Sequence, residues 1–137
     1  MTSTFVSKHI TIYLQVIQLL IKSGAHLHFG SFELGEKLCM LARQGETKKL
    51  ECYRMAGANL GATTNMSRQT PMHAAVETAQ ESTVTFLLEK GVGITRKDVY
   101  GRTPLDIARL LNRHEIIQLL TNAKSKDNTL LNLARPN

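Results

Sequence analysis

The residues that could carry chemistry are few and poorly spaced for it. His26 and His28 stand two apart, with Cys39 eleven residues further on, while Cys52 and His73 are isolated. A zinc site needs four closely spaced ligands, and this spacing is not that of a zinc finger. A cysteine nucleophile needs an activating base within hydrogen-bond reach, and neither cysteine has a histidine or aspartate partner nearby in the sequence. Because the sequence also lacks a phosphate-binding loop and a nucleophile elbow, it predicts no catalytic site, no metal and no cofactor.

The composition predicts one small folded unit rather than a disordered chain. The 137 residues are 42% apolar, 20% charged and only 5% aromatic, which suits an aliphatic core in one domain or a short repeat array. The longest apolar stretch, residues 10–21, is too short to span a bilayer, and no signal peptide is evident. Two cysteines in apolar contexts indicate buried free thiols in a reducing compartment. The expected location is therefore the cytoplasm.

The net charge of +6 raises the question of nucleic-acid binding. Residues 91–126 hold seven basic and three acidic residues, so this stretch carries most of the excess charge. The basic residues are spread over the stretch rather than clustered, and only Tyr100 could stack on a base. A solvated surface is the favoured interpretation, and binding to nucleic acid or to an anionic membrane remains a weaker alternative.

The strongest pattern is an internal repeat. The segment 70–75, Thr-Pro-Met-His-Ala-Ala, recurs 33 residues later at 103–108 as Thr-Pro-Leu-Asp-Ile-Ala. An apolar block stands fourteen residues into each copy. Apolar blocks are followed by Gly24, Gly57 and Gly91, which gives a period of 33 to 34 residues. Such a period predicts an array of similar units that stack on one another.

Each unit reads as an inner and an outer helix joined by a short turn. Thr70 and Thr103 are favoured N-caps, and Pro71 and Pro104 follow at the first helical position, where the missing N–H costs nothing. Glycine after an outer helix accepts the left-handed conformation easily. The inner helices are predicted at 36–44, 71–78 and 104–111, and the outer helices at 13–22, 47–55, 81–89 and 114–121. The predicted fold is all-α, a solenoid of stacked helix-turn-helix units with about three full repeats and a half repeat.

These motifs resemble the ankyrin repeat over about residues 13–124. The resemblance divides the chain into a half repeat at 13–35 and full repeats at 36–69, 70–102 and 103–124. A segment at 1–12 precedes the array and a tail at 125–137 follows it. The resemblance also implies that His73 bridges backbone groups of the neighbouring turn rather than binding a ligand. Gly101 is the glycine usual in the turn before an inner helix, and Arg68 replaces it in the preceding repeat. A second glycine is usual between the two helices of a unit, and Ala79 and Asn112 replace it. A non-glycine residue at positive φ costs on the order of 1 kcal/mol, so strain is expected around the second repeat.

The resemblance places partner binding on the loops before the inner helices, called fingers below, and on the inner helices. The first finger is residues 29–33, the second finger 66–69 and the third finger 96–102. Tyr and Arg dominate binding hot spots, so Tyr100 with its arginine neighbours is the best anchor by residue type. The candidate partner-binding residues are Phe32, Arg43, Met66, Glu77, Arg96, Val99, Tyr100 and Arg102. Leu110 and Leu111 would be an exposed apolar pair, which the tail is expected to cover.

A narrower resemblance concerns residues 16–60. Their order of apolar blocks and Gly-Ala pairs is similar to the C-terminal ankyrin region of animal cytosolic L-asparaginases, also described as lysophospholipases. The catalytic domain of that family lies upstream of the ankyrin region, and nothing here matches it. Two functions therefore stay open. One is a non-catalytic module that binds a protein partner of unknown identity, and the other is an accessory part that serves an asparaginase catalytic domain absent from this chain.

Overall fold

The computed structural model describes Ile12, Gln15 and residues 31–134, with side chains over 33–126 of that range. Every regular element in the described part is an α-helix, and no strand is present there. Its helices are α1 (Ser31–Arg43), α2 (Thr47–Met55), α3 (Pro71–Glu77), α4 (Glu81–Glu89), α5 (Pro104–Leu110) and α6 (His114–Ala134). Consecutive helices pair as α1–α2, α3–α4 and α5–α6. The inner helices α1, α3 and α5 form one layer and the outer helices α2, α4 and α6 the other. This is the stacked helix-turn-helix solenoid that the repeat predicts. Of the predicted helix at 13–22, only Gln15 belongs to the described residues.

The two best-defined inner helices begin where the threonines predict. Thr70 accepts a hydrogen bond from the backbone N–H of His73, and the imidazole Nδ1 accepts the Thr70 N–H at 3.1 Å. Thr103 and Asp106 form the same reciprocal arrangement at the start of α5. Each cap satisfies backbone N–H groups that have no partner within the helix. Pro71 and Pro104 follow as the first helical residues.

Polar side chains join neighbouring helix pairs. His73 Nε2 donates to the carbonyl of Arg102, 2.9 Å away, just before the next unit begins. In the opposite direction, Gln80 donates to the carbonyl of Arg43 and Arg113 donates to the carbonyl of Glu77, each at 3.0 Å. The buried imidazole therefore has a structural role, as the resemblance implies.

The turns show where the sequence departs from its own repeat. Gly45 has a φ of +72° between α1 and α2, and Ala79 has the same place between α3 and α4 with a φ of +57°. Asn112 between α5 and α6 has a φ of +55°. Arg68 has a φ of +52° where the next unit has Gly101 at +75°. The left-handed conformation expected at Arg68 and Ala79, on either side of the start of the second full repeat, is thus confirmed.

The core runs without interruption through all three helix pairs. Ala42, Ala74, Ala75 and Ala108 are fully buried on the inner helices, where their small side chains allow close packing between units. Larger aliphatic side chains from both layers fill the remaining space. No single pair could bury such a surface alone, so the units are stable only when stacked.

The structure corrects two expectations. Helix α1 begins at Ser31 rather than near residue 36, so Phe32 lies in the first turn of a helix and not in a loop at a finger tip. This unit has no Thr-Pro pair to start its helix, and Leu34, Leu38 and Leu41 continue one apolar face toward the N-terminus.

The second correction concerns the C-terminal residues. Helix α6 continues to Ala134, so residues 125–134 extend an outer helix. Leu110 and Leu111 remain 65% and 39% exposed. The prediction that a tail covers them is therefore wrong.

Candidate interaction surface

The third finger is organised around one buried carboxylate. Asp98 Oδ1 accepts the backbone N–H groups of Tyr100 and Arg102, both at 2.9 Å. Its Oδ2 accepts Nε of Arg102 at 3.0 Å. Burial opposes ionisation of this group, but the hydrogen bonds from Arg102 and Tyr100 outweigh it and hold the pKa of Asp98 below its usual value. The finger is therefore held in one shape by a charged group that does not itself face solvent.

The tip of this finger presents an aromatic ring supported by a cation. The guanidinium carbon of Arg102 lies 5.0 Å from the centre of the Tyr100 ring, within the range of a cation–π contact. Tyr100 is 76% exposed and Val99 is 51% exposed. Because Asp98 and Tyr100 together fix the arginine side chain, a partner meets a preformed surface and little side-chain freedom is lost on binding.

The second and third fingers are joined directly. The backbone N–H of Val99 donates to the carbonyl of Ser67 at 2.9 Å. At the base of the second finger, the Thr64 hydroxyl accepts the N–H of Gln69 at 3.1 Å. Met66, on the same finger, is 85% exposed. The structure thus brings Met66, Val99 and Tyr100 onto two neighbouring loops with a fixed relation to each other.

The inner helices are also linked by side chains at their C-terminal ends. Arg43 Nη2 donates to the side-chain oxygen of Gln69 at 2.8 Å, and Arg43 Nη1 lies 3.5 Å from a carboxylate oxygen of Glu77. Both charged side chains are about two-fifths exposed (40% and 42%), so the pair still meets solvent. Arg43 and Glu77 therefore face solvent as an ion pair rather than as separate charges.

Exposed apolar side chains are unevenly distributed over the described residues. Five of the large ones lie on the fingers or at the end of α5: Met66, Val99, Tyr100, Leu110 and Leu111. The other three over the described residues are Ile12, Met40 on α1 and Met55 on α2. A clustered set of exposed apolar groups marks a binding surface more often than scattered single residues do.

Comparison with known proteins settles the family. A family model described as ankyrin repeats (3 copies) matches residues 9–131. The chain belongs to the ankyrin-repeat family. L-asparaginase from Dirofilaria immitis is 30% identical over 102 residues, which cover 74% of this chain and 17% of that protein. Potassium channel GORK from Arabidopsis thaliana is 30% identical over 96 residues, covering 70% of this chain and 12% of the channel.

A third relative shows how widely the same repeat is shared. Rabankyrin-5 from Homo sapiens is 38% identical over 85 residues, covering 61% of this chain and 7% of that protein. The chain spans less than a fifth of the length of each of these three relatives. The part that each of them shares with this chain is a segment of 85 to 102 residues.

The cysteines of the ankyrin array are unsuited to nucleophilic chemistry. Burial raises the pKa of Cys39 to about 12, and its thiol lies 3.5 Å from the carbonyl of Gln69. Burial also raises the pKa of Cys52. A nucleophilic cysteine needs the opposite shift, toward the thiolate. Over the residues described, no three His, Cys, Asp or Glu side chains are grouped so as to hold a metal ion.

Sequence reasoning missed the residue that shapes the third finger. Asp98 was not among the predicted site residues, although Asp commonly accepts the backbone N–H two residues on and so closes a turn. That local rule explains its bond to Tyr100. Its bonds to Arg102 were not visible from type and spacing, because they depend on how the finger folds back.

Within the described part of this ankyrin array, no helix is both long and apolar enough to cross a membrane.

Proposed function

We propose that this chain is a non-catalytic ankyrin module that binds a protein partner through its second and third fingers and the exposed end of α5. The observation that supports this most strongly is the exposure of Met66, Val99 and Tyr100 on two loops joined by a backbone hydrogen bond, with Tyr100 at 76% exposure on a loop held by Asp98. Ankyrin repeats are protein-interaction modules, and their repeats are generally non-catalytic. The two buried free thiols agree with a cytoplasmic location.

The candidate partner-binding residues divide into different roles under this proposal. Tyr100, Val99 and Met66 are the apolar anchors, because all three are at least half exposed. Arg102 supports the Tyr100 ring, and Arg96 supplies an unpaired charge. Arg43 and Glu77 contribute as an ion pair. Phe32 lies in α1 and has no described side chain, so it stays a prediction from the sequence. The repeat limits 36–69, 70–102 and 103–124 also remain predictions from the sequence.

The test removes apolar contacts without removing the support of the finger. Tyr100→Ala with Val99→Ala leaves Asp98, Arg102 and the Val99 backbone bond to Ser67 in place. Tagged full-length chains are used to capture proteins from a cytoplasmic extract, with quantitative mass spectrometry as the readout. The matched control is Met55→Ala, which removes a 50%-exposed apolar side chain from an outer helix.

We expect the finger variant to lose a defined set of captured proteins that the Met55→Ala chain keeps. Circular dichroism must show the same helix content for all three chains. The proposal fails if the finger variant captures the same proteins as the unmodified chain.

A second candidate is an accessory role for a larger amide-hydrolysing enzyme. The similarity to L-asparaginase from Dirofilaria immitis favours it, because that protein carries a related segment as 17% of its length. In this case the surface would contact an asparaginase catalytic domain. Co-expression of the tagged chain with such a domain, followed by affinity purification, tests the idea directly. Failure of the two to co-purify would reject the accessory role and leave the free-standing module.

A further inference from the structure

The fingers hold cations that have no acidic partner. Arg68 lies on the second finger, and Arg96 and Lys97 begin the third. All three residues are exposed, and none takes part in an ion pair with another described residue. The backbone bond between Val99 and Ser67 joins the two loops. Three positive charges that form no described ion pair therefore lie on the same two fingers as the exposed apolar side chains.

Three acidic groups of the inner helices and fingers already have partners. Asp98 is bound by Arg102, and Glu77 is paired with Arg43. Asp106, at the start of α5, accepts the N–H of Thr103 at 3.0 Å.

The titration of Asp106 shows how the local charges act on it. Hydrogen bonds from Thr103 hold its pKa below the usual value, and the charges of Arg109 and Lys97 lower it further. Asp106 thus offsets part of the Lys97 charge. Besides Asp106, the acids with described side chains and no described ion pair lie on α1, the outer helices and the turn before α2: Glu33, Glu36, Glu46, Glu81, Glu89 and Glu115.

From this charge distribution we infer that the segment bound by the fingers is a linear, acidic stretch of a protein that also carries apolar side chains. Its carboxylates meet Arg68, Arg96 and Lys97, and its apolar groups meet Met66, Val99 and Tyr100. The inference rests on the proposed function and adds the chemistry of the partner. Complementary charge of this kind steers association and selects among partners.

A nucleic acid fits the same surface less well. Binding to single strands uses a charged groove together with several stacked aromatic side chains, and these fingers offer one ring. Duplex binding at physiological salt needs many phosphate contacts, on the order of six to ten for tight binding. Met66 and Val99, at 85% and 51% exposure, would face phosphates without benefit. A peptide uses both the cations and the apolar groups.

The first experiment selects ligands without assuming their charge. Random peptides of about 12 residues are displayed on phage and selected on the immobilised full chain. We expect the enriched peptides to hold more Asp and Glu than Lys and Arg, and to include apolar residues. The tightest peptide is then synthesised and its affinity is measured by fluorescence anisotropy.

Charge reversal then locates the contact. Arg68→Glu, Arg96→Glu and Lys97→Glu, combined in one chain, should weaken the selected peptide by about tenfold or more, since three favourable contacts become repulsive. The control combines Lys48→Glu, Lys49→Glu and Lys124→Glu, three exposed lysines on outer helices. This control should retain its affinity within about twofold, because its charges lie on the other layer. Circular dichroism of both variants verifies that they fold.

Each outcome decides a separate question. Neutral or basic peptides that lose binding with Tyr100→Ala and Val99→Ala would overturn the acidic partner and leave the proposed function standing. Peptides that are indifferent to both sets of finger substitutions would overturn the two together. No enriched peptide at all would reject a linear segment. An oligo-dT probe of about 12 nucleotides that binds as tightly as the peptide, and is lost on charge reversal, would assign the cations to nucleic acid instead.

Discussion

Cys39 occupies in the first helix pair the place that His73 occupies in the second. The thiol donates to the carbonyl of Gln69 at 3.5 Å, and the imidazole Nε2 donates to the carbonyl of Arg102 at 2.9 Å. Gln69 and Arg102 each directly precede the threonine that caps the next inner helix. A weak donor and a strong one therefore satisfy equivalent carbonyls, which explains why a buried cysteine is found where the neighbouring unit has histidine.

Replacing these two residues should give unequal losses of stability. His73→Ala removes a buried ring, an inter-unit hydrogen bond and half of a capping box, so we expect a loss of about 2 to 4 kcal/mol in the free energy of unfolding. Cys39→Ala removes only a small side chain and a weak donor, for about 1 kcal/mol. Urea denaturation followed by circular dichroism measures both. Equal losses would mean that the two donors are not ranked as described.

Stability should depend on pH through His73. Burial lowers its pKa, and this outweighs the Arg102 carbonyl and the Asp98 charge, which favour the protonated ring. The unfolded chain then binds the proton more readily, so the free energy of unfolding falls as pH drops below about 6.5 and is unaffected above it. Protonated Nδ1 would also face the N–H of Thr70 that it now accepts.

A neutral variant isolates this titration from those of the other histidines. The interval from pH 7 to 5 includes the ordinary histidine pKa of about 6.5, at which His73 of the unfolded chain takes up a proton. The glutamine of His73→Gln cannot titrate, so the free energy of unfolding of this variant should fall less over the interval than that of the unmodified chain. Denaturation curves at several pH values provide the comparison. Parallel pH profiles for the two chains would rule out His73 as the group responsible.

Glycine at position 79 should stabilise the protein. Ala79 has a φ of +57° where the first unit has Gly45, and relief of this strain is worth about 1 to 2 kcal/mol, less about 0.5 to 1 for the greater freedom of the unfolded chain. We expect a net gain of about 0.5 to 1 kcal/mol by urea denaturation. Asn112→Gly should gain less, because Asn tolerates this conformation. Ala123→Gly inside α6 is the control and should lose stability. If Ala79→Gly also lost stability, the conclusion that Ala79 is strained would be contradicted.

Two glycines should respond oppositely to alanine. A Cβ at Gly35 would lie 2.0 Å from the carbonyl oxygen of Thr63, so Gly35→Ala should force the backbones apart and cost at least about 2 kcal/mol. Nothing lies within 4 Å of a Cβ at Gly93, and its φ is outside the left-handed region. Gly93→Ala should therefore be neutral or stabilise by up to about 1 kcal/mol. Melting temperatures of the two variants that shift by the same amount would contradict the close approach.

The parts of the fold that follow local rules were predictable. Thr70 with Pro71, and Thr103 with Pro104, fix two inner helices from type and order alone, and alignment of the repeats located the strained turns at Arg68 and Ala79. The start of α1 was not predictable by the same rule, because its unit lacks the threonine and the proline. The length of α6 did have a signal: no Gly or Pro interrupts residues 114–134.

The interaction surface was predictable in part. Exposure of Tyr100, Val99 and Met66 follows from their place in the loops. Which arginine lacks an ion pair does not follow from the sequence, because it depends on the positions of the acidic groups in the folded chain. Arg102 is held by Asp98, whereas Arg96 has no described ion pair. Residue type alone ranks these two arginines equally.

The bonds between helix pairs also bear on how similar repeats avoid stacking in the wrong register. His73 donates forward to the unit that follows, while Gln80 and Arg113 donate back to the unit before. A shift of one helical turn would separate these donors from their carbonyls in both directions and leave the buried His73 imidazole unsatisfied, which is costly. Polar contacts between neighbouring repeats therefore favour the correct alignment during folding, in addition to the packing of the aliphatic core.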